Sequence, residues 1–372
     1  MTTATKTKTK RSVPVKELKD ALSRVLKATK HKSSIQVLYG VKITEKTIEA
    51  TNMEAYAVVK IDTGLDCEVV ADSRTLAKLL SSLKAKDSVV MSIGCDGELL
   101  VTSRIGNTGI NTFELSDWPS LNLPKRNAKT MTNMVGNPMP VVKAVAKFAS
   151  VDMSRPVLTG INLRSQEGVM RVTATDSYRM ACDFTELGKS IDFSVILPSV
   201  SVATMTELSC IYYDKACQFT TLVGEGFMLH LRNIEGQYPE WDQLRPPVTE
   251  TVEILDGTVS DMLESLKLMN KLNPYNSPVR MSINHSTHSS GLSLSMVMQD
   301  GPSHTSGHLV SRTVGEEDFM TGVNSGFAID CLEFMGGGCE LGYYPSNNKP
   351  MLFSSIDSPR RQAILMPVRL PA

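Results

Sequence analysis

The chain lacks the features of a metal, redox or membrane protein. Its seven cysteines are odd in number and scattered without a CxxC pair, so we predict reduced thiols and no structural zinc. No segment approaches the roughly 20 apolar residues needed to span a bilayer. The polar N-terminus MTTATKTKTKRS also lacks the apolar stretch of a signal peptide. We therefore expect a cytoplasmic protein with no membrane partner.

Net charge is also lacking. Lys+Arg and Asp+Glu each total 39 among the 372 residues, so the formal net charge is zero. A nucleic acid would have to be bound by local basic faces, because the average charge does not attract it. The hydrophobic fraction of 41% is ordinary for a globular protein, and the length predicts two or three domains.

What the sequence does contain is a threefold repeat. Each copy begins with an amphipathic helix, continues into strands and a polar turn, reaches a second helix and closes with a hairpin. The pattern predicts the first helix of the first copy over 15–28, and the second helices of the second and third copies near 199–208 and 330–336. Thr51–Glu54 matches Thr175–Tyr178 at an offset of 124 residues, and Trp118-Pro119 matches Tyr238-Pro239 at an offset of 120. We predict an α+β fold of three similar domains, each with two helices packed on antiparallel sheets. A disordered basic tail is expected over 1–11, and the domains over 12–130, 131–250 and 251–372.

Basic side chains occupy the polar side of four of the six predicted helices. Lys143 and Lys147 lie four residues apart on one face, as do Lys267 and Lys271. Lysines on a helix surface can neutralise phosphates without reading bases, which suits non-specific contact with DNA. An ordinary solvated helix face is the alternative reading of the same pattern.

The stretch TATDSYRMA at residues 173–181 has the greatest density of reactive side chains. A hydrolase using Asp176 and Tyr178 is disfavoured, because no histidine or cysteine lies nearby as base or nucleophile. We expect this stretch to form a binding surface and the protein not to be an enzyme.

Two other patterns are weak. His285, His288, His304 and His308 fall close together, but no carboxylate or cysteine accompanies them at ligand spacing. The run MGGGCELG at 335–342 lacks the Lys-Ser/Thr pair of a phosphate-binding loop and fits a helix end better. We therefore expect no metal and no cofactor.

Three segments resemble those of a known family. They are RPVLTGINLRSQEGVMRVTATDSYRMA (155–181), EGQYPEWDQLRP (235–246) and LMPVRL (365–370), and they are similar to segments of the bacterial DNA polymerase III beta subunit, the sliding clamp. The resemblance covers 12–370 in domain order, and is weakest in the first domain. A divergent cellular member and a phage-encoded member both remain open. A two-domain trimeric clamp would need only two repeats.

The resemblance implies an accessory subunit of a DNA polymerase without catalysis. Two chains would join head to tail into a ring of six domains that encircles double-stranded DNA without sequence specificity, in the cytoplasm at the nucleoid. A cleft between the second and third domains would bind short peptides of the replicative polymerase, the clamp loader and repair proteins.

The resemblance also implies site residues. Its peptide cleft corresponds here to Arg155, Leu158, Thr175, Ser177, Tyr178, Arg179, Met180, Pro239, Gln243, Leu244, Met366, Pro367, Val368 and Arg369. Ser177 stands where a glycine is common, Tyr178 where a histidine is common, and Gln243 where a basic residue is common.

Two further sets concern DNA and the second chain. The residues expected to face DNA are Lys27, Lys30, Lys32, Arg74, Lys78, Lys143, Lys147, Lys267 and Lys271. The regions expected at the dimer interface include Thr108 and Ile110 on one side and Met269 and Leu272 on the other.

Overall fold

The computed structural model describes residues 11–29, 35–272, 278–284, 291–296, 303–314, 317–345 and 349–370. They form two compact units. The first contains the residues up to 139 together with 188–191 and 200–233, and the second contains 140–187, 192–199 and the residues from 234 onwards. Residues 1–10 of the predicted tail lie outside the described residues.

The helices are α1 (Val15–Ala28), α2 (Ser73–Ser82), α3 (Met139–Ala146), α4 (Ser199–Val202), α5 (Trp241–Leu244), α6 (Asp256–Leu272) and α7 (Ser325–Met335). Helix α1 matches its predicted limits, because Leu18, Leu22 and Val25 recur at helical spacing and all three are buried. None of the described helices has the length and apolar character needed to cross a membrane.

Two helices differ from their predicted limits. Helix α4 was expected near 199–208 but ends at Val202, in a segment rich in β-branched residues and serine, which are weak helix formers. Helix α7 begins at Ser325, five residues before the predicted start. Its N-cap Asn324 accepts a hydrogen bond from the Phe327 N–H at 3.0 Å, and the helix ends at Gly336, whose φ is 75°.

The first unit contains thirteen of the strands. They are β1 (Ser12–Pro14), β2 (Gly40–Ile43), β3 (Thr47–Thr51), β4 (Ala55–Lys60), β5 (Val69–Asp72), β6 (Ser88–Ile93), β7 (Leu99–Ser103), β8 (Gly106–Ile110), β9 (Thr112–Phe113), β10 (Met131–Asn133), β15 (Cys210–Tyr212), β16 (Phe219–Gly224) and β17 (Phe227–Arg232). They form a four-stranded sheet in the order β1-β6-β7-β8 and a nine-stranded sheet in the order β10-β15-β16-β17-β4-β3-β2-β5-β9.

The second unit contains the other described strands. They are β11 (Gly160–Gln166), β12 (Val169–Thr175), β13 (Arg179–Glu186), β14 (Phe193–Pro198), β18 (Glu250–Ile254), β19 (Val279–Asn284), β20 (Gly291–Met296), β21 (His304–Leu309), β22 (Arg312–Val314), β23 (Phe319–Val323), β24 (Cys339–Tyr343), β25 (Met351–Ser355) and β26 (Gln362–Leu365). Their sheets have the orders β14-β11-β12-β13-β26-β25-β24-β18-β22 and β21-β20-β19-β23.

Two strand orders occur three times along the chain. The first is seen in β1-β6-β7-β8, in β10-β15-β16-β17 and in β18-β24-β25-β26, and the second in β5-β2-β3-β4, in β14-β11-β12-β13 and in β23-β19-β20-β21. Every strand pairing in the described part of the chain is antiparallel, so the prediction of an α+β fold with antiparallel sheets is confirmed. The two compact units do not coincide with the three repeats, and the domain limits near 130 and 250 stay a prediction.

Candidate functional site

The turn between β12 and β13 carries the densest part of the predicted cleft. The Thr175 hydroxyl donates to the Arg179 carbonyl at 2.8 Å and accepts from the Ser177 N–H at 3.1 Å. Asp176 Oδ1 accepts the N–H groups of Tyr178 and Arg179 at 2.9 and 3.0 Å. These bonds fix the turn from within, so Thr175 and Asp176 have structural roles here.

The same turn occurs in the first repeat. Asn52 Oδ1 accepts the N–H of Ala55 at 2.6 Å, and the Thr51 hydroxyl donates to the Ala55 carbonyl at 3.0 Å. Met53 and Ser177 occupy the same turn position, with φ angles of 73° and 79°. Glycine suits this position because the backbone is left-handed. The same conformation raises the conformational free energy of Met53 and Ser177, which carry side chains.

Beneath the turn lies a buried apolar cluster. Met180, Tyr238, Trp241 and Ile364 pack together in it, and Val157 contacts its edge. Met180 therefore belongs to the floor under the predicted cleft and is not accessible on its surface. Five separate stretches of chain contribute buried residues to this floor, at 180–182, 196, 238–241, 352 and 364.

Tyr238 ties the turn to the start of β11. Its hydroxyl accepts the Thr175 N–H at 3.0 Å and donates to the Gly160 carbonyl at 3.2 Å. Burial raises the pKa of Tyr238, so the phenol remains a neutral donor. A Cβ at Gly160 would lie 2.5 Å from Ile196, so only glycine allows this close approach.

The C-terminal segment after β26 lies beside the same turn. The Met366 N–H donates to the Tyr178 carbonyl, and the Val368 N–H donates to the Gly322 carbonyl, both at 2.8 Å. Pro367 between them has no N–H to offer. The Met366 side chain is 39% exposed, so this segment presents apolar side chains to solvent while its backbone is anchored. Arg369 follows and is exposed.

Arg155 reaches the turn from the other side. Its Nη1 donates to Ser177 Oγ at 2.9 Å, and its Nε lies 3.5 Å from Asp152 Oδ2. Leu158, three residues later, is half-buried, and its N–H donates to the Arg155 carbonyl at 3.0 Å. The segment 155–158 and the 175–179 turn are thereby joined by a side-chain hydrogen bond that needs the Ser177 hydroxyl.

Arg179 is buried, although the resemblance implies that it contacts a bound peptide. Its side chain is 9% exposed; Nη1 donates to Asp330, Nε donates to Asp176 at 3.0 Å, and Nη2 donates to the Lys147 carbonyl at 3.2 Å. Burial opposes the charge, but the hydrogen bond and charge of Asp330 outweigh it and raise the pKa of Arg179. The guanidinium therefore holds structural elements together.

Aromatic rings enclose the same guanidinium. Its carbon lies 4.9 Å from the ring centre of Phe148 and 4.6 Å from that of Phe327. Phe327 stacks in turn on Tyr178, with ring centres 6.0 Å apart and planes 23° apart. Tyr178 is 58% exposed, so this stack ends in a ring that is open to solvent.

The remaining predicted cleft residues follow the buried aromatic pair. Pro239 is half-buried directly after Tyr238. Gln243 and Leu244 lie in helix α5 after the buried Trp241, and both are exposed. Leu244 is an exposed large apolar residue, as are Tyr178, Met366 and Val368. Solvent also reaches the polar cleft residues Arg155, Ser177, Gln243 and Arg369.

Several predicted basic residues are exposed on helices. In the first unit Lys27 and Lys78 are exposed, and the Arg74 guanidinium lies 4.2 Å from the ring centre of Tyr39. Lys30 and Lys32 lie outside the described residues.

The second unit carries the other four. Lys143 is half-buried, and Lys271 is exposed at the end of α6. Lys147 and Lys267 are exposed and share Glu333 of α7, whose carboxylate lies 3.9 and 2.9 Å from their Nζ atoms.

Two residues expected at the dimer interface face the interior of their own units. Ile110 on β8 and Met269 on α6 are both fully buried. Thr108 on β8 and Leu272 at the end of α6 are half-buried. At β8 and at the end of α6, the strand edge and the helix end are therefore more accessible than the apolar side chains of Ile110 and Met269.

The histidine cluster and the glycine run are the two alternative sites that the sequence offers. Within the described ranges no group of three or more His, Cys, Asp and Glu side chains could hold a metal ion. His308 Nε2 lies 3.0 Å from Ser306 Oγ, while His285 and His288 lie outside the described residues. The run 335–342 comprises the end of α7 and most of β24.

Sequence reasoning missed four residues that build the site. Tyr238 was recognised only as a repeat position before Pro239, and Trp241 only within a resembling segment, although an aromatic pair flanking a proline is a typical anchor. Phe327 and Asp330 lie about 150 residues from the turn that they support, and no sequence spacing connects them to it.

Three comparisons with known proteins agree with one another. Residues 139–240 match the family model described as DNA polymerase III beta subunit, central domain. The beta sliding clamp of Halalkalibacterium halodurans is 24% identical over 262 residues, which is 62% of this chain and 66% of that protein. The beta sliding clamp of Staphylococcus aureus is 26% identical over 248 residues, or 60% of this chain and 64% of that protein. The chain thus spans just under two thirds of the length of these relatives.

Solved structures share the fold over nearly the whole chain. A DNA polymerase sliding clamp from Bacillus subtilis has a TM-score of 0.85 at 15% identity, with 97% of this chain and 99% of that chain covered. A sliding clamp from Pseudomonas aeruginosa bound to griselimycin has a TM-score of 0.82 at 15% identity, with 96% and 99% covered. The resemblance predicted from the sequence is confirmed: the chain has the fold of these sliding clamps, and its sequence is similar to that of bacterial DNA polymerase III beta subunits.

Proposed function

We propose that the chain is a sliding clamp, a ring-forming subunit that encircles duplex DNA and tethers a DNA polymerase without catalysing a reaction. The observation that carries the proposal is the anchored C-terminal segment beside the 175–179 turn. Exposed apolar side chains such as Tyr178, Leu244 and Met366 surround a buried floor there, and the backbone beneath them is fixed by hydrogen bonds. An apolar surface on a rigid support suits an extended peptide.

The polar groups at this surface fit the same role. Arg155 is oriented by its contacts with Ser177 and Asp152. Gln243, which directly precedes Leu244 in the sequence, is exposed. A few oriented donors beside an apolar surface give a bound peptide its direction. The partners that we propose are the replicative polymerase, the clamp loader and repair proteins that carry such peptides.

The strand order supports closure by a second copy of this chain. Strand β17, the last of the second repeat, pairs with β4 of the first, and β26 of the third pairs with β13 of the second. The equivalent strands left at the ends of their sheets are β8 of the first repeat and β21 of the third. Pairing β8 of one chain with β21 of another repeats the internal junction and leaves neither edge bare.

Contact with DNA would come from the exposed lysines and arginines on α1, α2, α6 and the end of α3. These side chains supply positive charge on helices in a chain whose net charge is zero. Helix-borne lysines favour phosphate contact that is independent of base sequence, which a ring moving along DNA requires.

Retention on closed circular DNA tests this function. The protein would be loaded on a nicked plasmid by the clamp loader of its host and passed through a sizing column before and after the plasmid is linearised. A clamp stays with the circle and leaves the linear form, because its hold is topological. Equal retention on both forms would indicate an ordinary DNA-binding protein, and no retention on either would contradict the proposal.

A further inference from the structure

Glu333 on α7 is shared between two lysines of the proposed DNA-facing set. Its Oε1 lies 2.9 Å from Nζ of Lys267 on α6, and its Oε2 lies 3.9 Å from Nζ of Lys147, the residue after α3. The three side chains are 36%, 55% and 63% exposed, in the order Glu333, Lys267, Lys147. An approaching polyanion can therefore reach both lysines and the carboxylate between them.

Helix α7 has acidic residues where other helices have basic ones. Asp330, three residues before Glu333, forms an ion pair with the buried Arg179, which also pairs with Asp176. Glu333 has no such buried partner among the described residues, and its charge meets only the two exposed lysines. Glu333 is therefore the carboxylate of α7 that is paired with lysines of the proposed DNA-facing set.

We infer that Glu333 acts as an internal counter-ion that competes with DNA phosphates for Lys147 and Lys267, and so loosens the contact between the protein and the duplex. The inference rests on the proposed function. When a phosphate binds either lysine, a lysine–phosphate pair replaces the lysine–carboxylate pair with Glu333. Each phosphate contact therefore contributes less binding free energy than a contact with an unpaired lysine would. Two attenuated contacts leave the protein attracted to DNA but easily displaced along it.

The substitution Glu333→Gln tests the inference, because it preserves shape and removes the charge. We expect binding of a short DNA duplex, measured by fluorescence anisotropy at low ionic strength, to tighten about two- to fivefold. The slope of log affinity against log salt concentration should steepen by about one, as for one or more additional phosphate contacts.

A matched control separates this role from a general effect of net charge. Glu186 on β13 is exposed, lies in the same unit and forms no ion pair with any described residue. Glu186→Gln changes the net charge equally and should leave the affinity and the salt slope unchanged. A gain in Glu186→Gln as large as in Glu333→Gln would overturn the inference.

The lysines provide the second arm of the test. In a chain with both Lys147→Met and Lys267→Met, most of the increase in duplex affinity caused by Glu333→Gln should disappear, because Glu333 then has no lysine for which to compete with phosphates. A full gain in that background, or no gain in the native background, would contradict the inference. Absence of any salt-dependent duplex binding by the native protein would instead contradict the proposed function.

Discussion

Arg155 Nη1 donates a hydrogen bond to Ser177 Oγ at 2.9 Å, and this bond joins two walls of the proposed cleft. Ser177 makes it from a left-handed backbone with a φ of 79°, a conformation that glycine adopts at lower cost. The hydroxyl and the backbone strain thus come from the same residue, and two substitutions separate them.

Ser177→Gly should stabilise the fold by about 0.5–1 kcal/mol, because it relieves the left-handed strain. Ser177→Ala keeps the strain and removes only the hydroxyl, so it should not be stabilising. Met53→Gly, at the equivalent turn of the first repeat, should give a gain similar to that of Ser177→Gly. Urea denaturation measures all three, and a stabilised Ser177→Ala would show that strain does not account for the difference.

Arg179→Met should destabilise the second unit by about 2–4 kcal/mol, because Asp330 and Asp176 lose a buried partner. Asp330→Asn, at a more exposed residue, should cost less. The free energy of unfolding from denaturant titration checks both. If Arg179 mainly contacted a bound peptide, Arg179→Met would weaken peptide binding and leave stability unchanged.

The free energy of unfolding should decrease as the pH is lowered, because His230 is protonated more readily in the unfolded chain than in the folded one. Burial lowers the pKa of His230 to about 4, helped by the charge of Arg126, and its Nδ1 lies 2.7 Å from Thr221 Oγ1. The unfolded chain binds this proton near pH 6.5 and the folded chain only near pH 4. The stabilisation is therefore complete above pH 6.5, and about 3 kcal/mol is lost as the pH falls to 4.

The control for this prediction is His230→Gln, which cannot take up the proton. Its free energy of unfolding should depend less steeply on pH between 6.5 and 4 than that of the native chain. Carboxylates elsewhere titrate equally in both proteins, so the difference isolates His230. Parallel pH profiles for the two proteins would show that His230 is not the group responsible.

Met366→Ala combined with removal of Val368–Ala372 should abolish stimulation of the polymerase. It removes exposed apolar side chains of the C-terminal segment and the hydrogen bond from the Val368 N–H to Gly322. The assembled protein should still contain two chains, because the proposed closing strands β8 and β21 are untouched. Processive synthesis with the truncated protein would show that the cleft lies elsewhere.

Reversing Lys143 and Lys147 to glutamate should weaken retention on circular DNA, most clearly at low salt, because two positive charges become negative. Affinity measured across a series of salt concentrations checks the effect. A salt dependence equal to that of the native protein would remove both residues from the DNA-facing set.

The repeat could be predicted from the sequence because its periodic elements are local. Leu18, Leu22 and Val25 define one face of α1, and the matching tetrapeptides at Thr51 and Thr175 form the same turn with the same hydrogen bonds. Local patterns of this kind specify local backbone.

The support of the site could not be predicted because it depends on distant residues. Arg179 meets Asp330 across 151 positions, and this buried ion pair could not be predicted from the sequence. The peptide contact that the resemblance implies for Arg179 stays a prediction. The buried positions of Ile110 and Met269 also could not be predicted locally, because an apolar residue on an edge strand or near a helix end can face either the core or a partner.

The mass of the protein in solution tests the central claim most directly. Two chains in one closed ring predict, by size-exclusion chromatography with light scattering, a single species of twice the mass of the chain across a wide range of concentration. A species with the mass of one chain, or of three, would contradict a ring built from two copies of three repeats.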